Sequence, residues 1–296
     1  MSSRRDRPET VAEWLLWAQD RLEALDNPIL ESRALMGALL GSPNAPWTRG
    51  PEILSPEMEE TFRTWVGRRR HREPFHFIVG EVPFFGRSFR VGPGVLVPRP
   101  ETEHLVACAL DHMTDRRGEA PVRILDLGAG SGAIILTLLL EVSDAFGVAV
   151  EREPAALRFL LENRRRFGLE ERLSVIRGSW GEMLGERPFF DLILSNPPYI
   201  PTGLLPTLEP EVRDHEPAAA LDGGPDGLAC YRKILSFAPA LLKEEGLLAF
   251  EIGADQAHAF RDGGRAMGGS GTGLTGSPAV MRDVSGQDRV IIWKKL

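Results

Sequence analysis

The sequence predicts an α/β protein in which a parallel β-sheet, covered by helices on both faces, follows a small all-helical domain. Beyond Pro100, short apolar runs typical of buried strands alternate with longer stretches typical of helices. The first 75 residues instead place apolar side chains at helical spacing. Residues 77–90 alternate between apolar and polar and predict a β-hairpin. We therefore expect a helical domain at 1–75, a hairpin linker at 76–98 and a sheet domain at 99–296.

Three helices are predicted in the N-terminal domain. Thr10 and Glu13 have the form of a capping box, and apolar residues follow them at helical spacing. Asn27-Pro28 and Ser55-Pro56 each combine an N-cap residue with a proline at the first helical position. No residue of this domain suggests a chemical role. It is either a docking platform for a partner protein or a bundle that only stabilises the chain.

The sheet domain is predicted to alternate strands with helices. Apolar runs predict strands at 122–127, 146–150, 173–177, 190–195, 246–251 and 289–293. Between them, helices are predicted at 101–114, 132–142, 153–168 and 227–243. Ligands of such sheets bind beyond the carboxyl ends of the strands. Gly130, Glu151 and Asn196 all follow predicted strand ends, so we expect them to lie close together.

A glycine-rich turn follows the first strand of this domain. The turn has the pattern G-x-G-x-G and consists of Gly128, Ala129, Gly130, Ser131 and Gly132. Glycines allow the backbone to pass close under a ligand, and this pattern is one residue shorter than the dinucleotide-binding fingerprint. Glu151, 19 residues beyond Gly132, ends the next strand, where an acid can bind the hydroxyls of a ribose.

The four residues Asn196-Pro197-Pro198-Tyr199 come directly after another apolar strand. The prolines fix φ and remove backbone donors, so the turn is stiff and its carbonyl groups stay free. Asn196 adds an amide oxygen, and Tyr199 adds a flat ring that can cover a planar group. This combination suits an amide or aromatic amino group whose nitrogen is attacked by an electrophile. An ordinary proline-rich turn is the alternative, and the glycine turn with Glu151 favours the binding site.

Composition limits the possible functions. The chain is 43% hydrophobic and 26% charged, as is usual for a soluble globular protein. Its formal charge of −7 argues against non-specific binding of nucleic acid. Cys108, Cys230 and the six histidines show no metal-binding spacing, so we expect neither a metal nor a disulfide. Without an 18-residue apolar run or a signal-peptide core, a cytoplasmic protein without membrane contact is expected.

The chain resembles the HemK/PrmC family of class I S-adenosylmethionine-dependent methyltransferases, which have a Rossmann-like sheet. Those enzymes methylate the glutamine side-chain amide in the Gly-Gly-Gln motif of peptide chain release factors. The resemblance extends from Phe77 to the end of the chain, and Pro-Arg-Pro-Glu-Thr-Glu together with Asn-Pro-Pro-Tyr is quite specific. Besides the two turns described above, the matching segments are 77–86, 97–103, 216–221, 224–228 and 286–290.

The resemblance implies S-adenosylmethionine as cofactor, with no metal. The backbone of residues 128–132 would then pass under the methionine part, and Asp126 would support this turn or the amino group. Glu151 would accept hydrogen bonds from both ribose hydroxyls. Trp180 aligns with an adenine-contacting aromatic residue, although a core tryptophan would explain it as well. Asn196 would also touch the cofactor.

The resemblance also assigns the chemistry to the Asn-Pro-Pro-Tyr turn. An amide nitrogen is a poor nucleophile, and its N–H is too weakly acidic for a side chain to deprotonate it first. We expect the Asn196 side-chain oxygen and the Pro197 carbonyl to accept the two N–H groups and hold the nitrogen in line with the methyl group. Pro198 would complete the substrate site, and Tyr199 would pack on the amide plane. No residue is needed as an obligatory base.

The partner implied by the resemblance is a class 1 peptide chain release factor, bound partly through the helical domain. Arg99 and Glu101 would shape and close the cleft. The protein is expected to act as a monomer and not to bind DNA.

Three other functions fit part of the sequence. A DNA adenine methyltransferase suits the Asn-Pro-Pro-Tyr turn but requires base flipping, a basic cleft and usually a target-recognition domain. A nicotinamide-dependent dehydrogenase explains the glycine turn but gives the other turn no role. A non-catalytic translation-associated protein would bind a partner without methylating it.

One segment departs from the family pattern. Residues 263–276 contain seven glycines where the family normally has a helix and a strand, and this composition predicts a loop.

Overall fold

The computed structural model describes residues 8–114, 121–260, 274 and 278–295. The chain divides into two compact units. The first unit contains Met1–Glu81 together with Pro210–His215, and the second contains Val82–Glu209 and Glu216–Leu296. A short segment from the middle of the second half of the chain therefore belongs to the N-terminal unit.

The described residues form both helices and strands, numbered here in chain order. The α-helices are α1 Val11–Arg21, α2 Pro28–Leu39, α3 Ala45–Thr48, α4 Pro56–Arg70, α5 Phe75–Val79, α6 Glu103–Thr114, α7 Ala133–Glu141, α8 Pro154–Arg166, α9 Pro210–Arg213, α10 Ala229–Leu235 and α11 Ala238–Leu241. The strands are β1 Glu81–Phe84, β2 Arg87–Arg90, β3 Arg123–Leu127, β4 Phe146–Glu151, β5 Leu173–Arg177, β6 Phe190–Ser195, β7 Leu242–Glu251, β8 Ala279–Arg282 and β9 Asp288–Lys294.

The N-terminal unit is a helical bundle with its own core. The helix α1 begins with the predicted capping box, in which the Thr10 side chain accepts from the Glu13 backbone N–H and the Glu13 side chain accepts from the Thr10 backbone. Trp14, Leu35 and Phe62, from three different helices, are fully buried. Burial of such large apolar side chains, at roughly 1.5–3 kcal/mol each, stabilises the bundle.

The second unit is built around a seven-stranded sheet with the order β5-β4-β3-β6-β7-β9-β8. Strands β3 to β7 pair in parallel, whereas β9 is antiparallel to β7 and β8 is antiparallel to β9. The chain moves from β3 outward to β5 and then returns to β6 on the other side of β3. The strand order therefore reverses between β3 and β6, the position where open sheets of this kind bind ligands.

Two predicted elements differ in the structure. The strand predicted from residue 77 is wrong at its start, because Phe75–Val79 forms α5 and Gly80, with φ of 82°, ends it before the hairpin. The helix predicted at 227–243 is interrupted at Ser236 and Phe237 and ends at Leu241, where β7 begins. Pro239 lies in the first turn of α11, where its missing N–H is tolerated but where it cannot continue a preceding helix.

The edge strand β8 was not predicted. Its four residues are all exposed, so it lacks the apolar alternation from which strands are recognised. The glycine-rich segment predicted as a loop lies outside the described residues except for Leu274, which bridges to Lys295. Within the part of the chain that is described, no helix has the length and apolar character needed to cross a bilayer.

Candidate active site

The glycine turn leaves the carboxyl end of β3 in a conformation that requires glycine. Gly128, Gly130 and Gly132 have φ values of 73°, 58° and 84°, in the left-handed region that side chains other than glycine rarely adopt. The backbone N–H groups of Gly128 and Ala129 both donate to the Val150 carbonyl, at 2.9 and 3.1 Å. The path of the turn is therefore fixed by the neighbouring strand β4.

Each glycine of the turn also faces a different environment. A Cβ atom at Gly132 would lie 2.7 Å from the end of the Leu136 side chain and 3.1 Å from that of Leu160, so a larger residue there would displace these leucines. At Gly130 the nearest such contact is Val95 at 3.9 Å. A Cβ atom at Gly130 would therefore meet no clash, and its nearest neighbour, Val95, lines the cavity. The turn is thus packed on its helix side and open on its cavity side.

The carboxylate of Glu151 holds the glycine turn to the end of β4. Its Oε2 accepts from the Gly130 backbone N–H at 2.8 Å, and its Oε1 accepts from the N–H groups of Arg152 and Glu153 at 2.7 and 2.8 Å. Sequence reasoning assigned Glu151 to a ribose and missed this structural role. A carboxylate has about four lone-pair sites. Three are used here, so one ribose hydroxyl can bind without displacing a backbone donor.

A cavity of about 370 Å³ opens at the reversal of the strand order. That volume lies within the range of small-molecule sites. The cavity brings together residues from both predicted turns and the acid between them. Its predicted lining residues are Gly128, Ala129, Gly130, Ser131, Glu151, Trp180, Asn196 and Pro198.

Trp180 has features of both an adenine-contacting residue and a core tryptophan. Its side chain is half-buried and packs against the hydrophobic core of the sheet, and it also lines the cavity. Its φ of 57° is unusual for a bulky residue. A Cβ atom at Gly128 would lie 3.7 Å from the Trp180 ring. A side chain on the glycine turn would therefore occupy the space between the turn and the indole.

The Asn-Pro-Pro-Tyr turn begins where β6 ends beside β3. Ser195 Oγ donates to the Leu127 carbonyl at 2.6 Å and ties the two strand ends together. Asn196 is half-buried, and its Nδ2 donates to Thr102 Oγ1 at 3.1 Å. Within the described residues, neither Asn196 Oδ1 nor the Pro197 carbonyl oxygen accepts a hydrogen bond. Both oxygens are therefore acceptors without a partner in the described chain, and Asn196 lines the cavity.

The other residues of this turn differ in exposure. Pro198 lines the cavity, whereas Pro197 is buried and Tyr199 packs against the core of the sheet, and neither lines the cavity. Burial, together with the negative charge of Glu251, raises the pKa of Tyr199 to about 12. The Tyr199 hydroxyl therefore stays protonated at neutral pH and cannot act as a base.

Asp126 lies in β3, two residues before the glycine turn. It is fully buried, and its two oxygens have no hydrogen-bond partner of normal geometry within the described chain, although the Ile135 backbone N–H faces them. Burial, with a further contribution from Glu151, raises the pKa of Asp126 to about 7. Because the side chain does not reach the cavity surface, support of the turn is the role that its position favours.

Arg99 and Glu216 join two of the family-like segments. Arg99 Nη2 donates to Glu216 Oε1 at 2.7 Å. Burial raises the pKa of the Glu216 carboxyl, and the positive charge of Arg99 offsets part of this effect. Arg99, Glu216 and the exposed Glu101 do not line the cavity themselves. Their neighbours in the chain do, namely Pro98, Thr102 and Pro217.

Two polar residues at this edge of the sheet were missed by sequence reasoning. Thr102 is 3% exposed and contacts Asn196, and Glu251, at the end of β7, is 1% exposed. Thr102 lies within the recognised Pro-Arg-Pro-Glu-Thr-Glu segment, and Glu251 ends an apolar strand just as Glu151 does. The sequence thus contains a signal for each residue. Whether Glu251 lies near Asn196, however, depends on the pairing of β7 with β6. No group of three potential metal ligands is found in the described part of the chain.

The residues present fit an adenosine-type cofactor. The turn is glycine where a side chain would fill the cavity, Glu151 keeps an acceptor site, and Trp180 offers an aromatic surface. Fold and site together define a class I methyltransferase, and residues 119–268 match the family model of a methyltransferase domain. Solved structures of the same fold include the 16S rRNA N2 G1207 methyltransferase of T. Thermophilus, with a TM-score of 0.51 at 20% identity over 73% of this chain and 50% of that one. The hMettl16 catalytic domain has a TM-score of 0.55 at 13% identity over 83% and 84% of the two chains.

More specific matches cover nearly the whole chain. Residues 13–80 match the model of the PrmC N-terminal domain. The release factor glutamine methyltransferase of Caulobacter vibrioides is 38% identical over 94% of this chain and 94% of its own length. That of Geobacter sulfurreducens is 41% identical over 85% and 88%. The chain belongs to the family of release factor glutamine methyltransferases, and the expected family and fold class are confirmed.

Proposed function

We propose that this protein transfers a methyl group from S-adenosylmethionine to the side-chain amide nitrogen of the glutamine in the Gly-Gly-Gln motif of class 1 peptide chain release factors. The observation that carries the proposal is a pair of acceptors without a partner in the described chain, Asn196 Oδ1 and the Pro197 carbonyl, the first on a residue that lines a cavity of cofactor size. Two acceptors match the two N–H groups of a carboxamide. The names of the curated relatives support glutamine as the substrate residue.

The cofactor site follows from the residues that line the cavity. We assign the open face of residues 128–131 to the methionine part, Glu151 to a ribose hydroxyl and Trp180 to the adenine. The bound cofactor supplies a methyl group on a positively charged sulfur. Asp126 supports the turn from inside the sheet, where its carboxyl is buried.

The acceptor turn provides orientation rather than acid–base chemistry. The amide lone pair is delocalised, so the amide must be held with its nitrogen facing the methyl group. Two hydrogen bonds to Asn196 and Pro197 fix this orientation and stabilise the positive charge that develops on the nitrogen. Correct placement of two reactants can lower a barrier by about 7–11 kcal/mol. The stiffness of the two consecutive prolines keeps the acceptors in place before the substrate binds.

The proton leaves after the methyl group has been transferred. As the N–C bond forms, the C–S bond breaks and the amide nitrogen becomes positively charged and therefore acidic. Water can take the proton at this stage. Tyr199, whose hydroxyl is protonated at neutral pH, is not required as a base.

The N-terminal unit is proposed to dock the release factor. We further propose that the protein works as a monomer in the cytoplasm, where release factors act. Charge-altering substitutions on the exposed helix faces of this unit in the full-length protein should raise KM for the release factor without changing the affinity for S-adenosylmethionine, and an unchanged KM would contradict the docking role.

One labelling experiment separates this function from its rivals. The purified chain is incubated with labelled S-adenosylmethionine and one of three acceptors, which are a release factor, its variant with alanine at the Gly-Gly-Gln glutamine, and duplex DNA. We expect label only on the unaltered release factor. Label on DNA would indicate an adenine methyltransferase, and label on none of the three would leave only a binding role. Either result would overturn the proposal.

A further inference from the structure

Three polar side chains form a connected group behind the acceptor turn. Asn196 Nδ2 donates to Thr102 Oγ1 at 3.1 Å. Glu251 ends β7 directly after Phe250, which pairs with Ser195, the residue before Asn196. Thr102 and Asn196 lie close enough to the Glu251 carboxylate to lower its pKa as hydrogen-bond donors, although its Oε2 has no partner of normal geometry within the described residues. All three side chains belong to the second unit.

The hydrogen-bonding polarity of this group is set by the carboxylate. An ionised carboxylate can only accept, so it favours the arrangement in which its two neighbours turn donors toward it, namely the Thr102 hydroxyl hydrogen and the Asn196 Nδ2. The Thr102 oxygen is then left to accept, and only the nitrogen side of the Asn196 amide can donate to it. Oδ1 of Asn196 is therefore directed away from Thr102. In this orientation it is the open acceptor described above.

Protonation of Glu251 removes this constraint on the orientation of the Asn196 amide. A protonated Glu251 can donate to Thr102, and the hydroxyl can then donate to the Asn196 oxygen. The amide can turn over and present Nδ2 to the site. An N–H of Asn196 would then face an N–H of the substrate glutamine, and the substrate amide would lose one of its two acceptors.

We propose that Glu251 is a positioning residue, which through Thr102 fixes the orientation of the Asn196 amide and keeps its oxygen available to the substrate glutamine. This inference rests on the proposed function, because the orientation matters only if Asn196 accepts a substrate N–H. Glu251 does not line the cavity, so it acts through its neighbours and not on the reacting atoms.

The surroundings of Glu251 place its titration near neutral pH. Burial, the largest effect, raises its pKa to about 7, and the negative charge of Glu101 acts in the same direction. Arg289 and the hydrogen bonds from the neighbouring side chains lower it. The two nearby phenols, Tyr199 and Tyr231, have raised pKa values and are neutral in this range. The active form is ionised, so methyl transfer should decline as pH falls through about 7.

The test compares kcat, KM and pH dependence in the full-length protein with a release factor as substrate. Glu251→Gln preserves shape but cannot ionise, and we expect kcat to fall about 10- to 100-fold, as for other residues that orient a functional group. KM for the release factor and the affinity for S-adenosylmethionine should change less than about threefold. The decline of kcat below about pH 7 that we expect for the wild-type chain should be absent in this variant.

Thr102 provides a second test that leaves the buried carboxylate in place. Thr102→Val removes the hydroxyl at constant shape and should reproduce the loss in kcat, while Thr102→Ser should restore most of it. Asp191→Asn is the matched control. This residue is a buried acid in β6, at the other end of the strand from Asn196, and it pairs with Lys243. It should leave kcat and its pH profile unchanged.

The outcomes separate this inference from the proposed function. A wild-type chain that does not methylate glutamine would overturn both. A wild-type chain that does so, together with a Glu251→Gln variant of equal kcat and unchanged pH profile, would overturn only the positioning role. A fall in kcat with the acid decline retained would also contradict it, because the titrating group would then lie elsewhere.

Discussion

At the scale of single residues, the account depends on Asn196 and on the oxygen that it leaves open. Its type and its place after a strand could be predicted from the sequence, since both are local properties. Its contact with Thr102 could not, because 94 residues separate the two in the chain. The role of Glu251 depends on the order of the strands, which the sequence does not give directly.

The first prediction concerns Asn196 itself. Asn196→Ala removes one of two acceptors and should lower kcat about 10²- to 10³-fold, the usual effect of removing one group that stabilises developing charge. The affinity for S-adenosylmethionine, measured by calorimetry, should change little because the alanine leaves the glycine turn, Glu151 and Trp180 in place. An Asn196→Ala variant with unimpaired turnover would remove the proposed role of this side chain.

At the scale of elements, the connection from β3 to α7 decides where the cavity forms. The three positive φ values and the hydrogen bonds to Val150 make the turn a fixed structure. The pattern G-x-G-x-G predicted the turn because glycine is the residue that such a backbone requires. The three hydrogen bonds of Glu151 to backbone N–H groups could not be predicted, since they depend on the twist of two neighbouring elements.

A pair of glycine substitutions tests the packing of this turn. Gly132→Ala introduces a Cβ 2.7 Å from Leu136 at a φ of 84°, and we expect it to lower the free energy of unfolding by about 2–4 kcal/mol. Gly168→Ala is the control, because its φ of 66° is similar but no atom lies within 4 Å. Gly168→Ala should lower the free energy of unfolding by only about 1–2 kcal/mol.

Urea denaturation of both variants provides the measurement. The difference between them isolates the steric contact from the backbone conformation. Equal losses in the two variants would show that the contact of Gly132 with α7 contributes nothing.

At the scale of the whole molecule, the parallel sheet, its flanking helices and the N-terminal helices were predicted from apolar periodicity together with helix-capping residues. The prediction failed where periodicity is ambiguous or missing. The short apolar helix α5 was taken for a strand, and the exposed strand β8 carried no pattern at all. The assignment of residues 210–215 to the N-terminal unit is a tertiary property that no local pattern indicates.

The ion pairs of Glu211 explain why that segment belongs to the first unit. Arg69 donates to Glu211 at 3.0 Å and to Glu31 at 2.7 Å, and its side chain is only 8% exposed. Arg72 contacts Glu211 at 3.1 Å. Although burial alone would raise the pKa of Glu211, hydrogen bonds from the two arginines help to hold it below its usual value.

Removal of this charge should loosen the segment. In Glu211→Gln, hydrogen exchange at residues 211–215 should become about 10- to 100-fold faster, since hydrogen bonds to charged groups contribute about 1.5–3 kcal/mol. Asp214→Asn is the matched control in the same segment, because its pair with Arg213 is exposed and should contribute little. Equal exchange in both variants would show that Glu211 does not hold the segment.

The central claim is that Asn196 Oδ1 and the Pro197 carbonyl bind the glutamine amide. Its most direct test is an experimental structure of the protein with S-adenosylhomocysteine and a Gly-Gly-Gln peptide. We predict that the glutamine nitrogen lies about 3 Å from both oxygens and faces the sulfur. A glutamine amide held by other groups, or an Asn196 side chain that presents Nδ2 to it, would contradict the account.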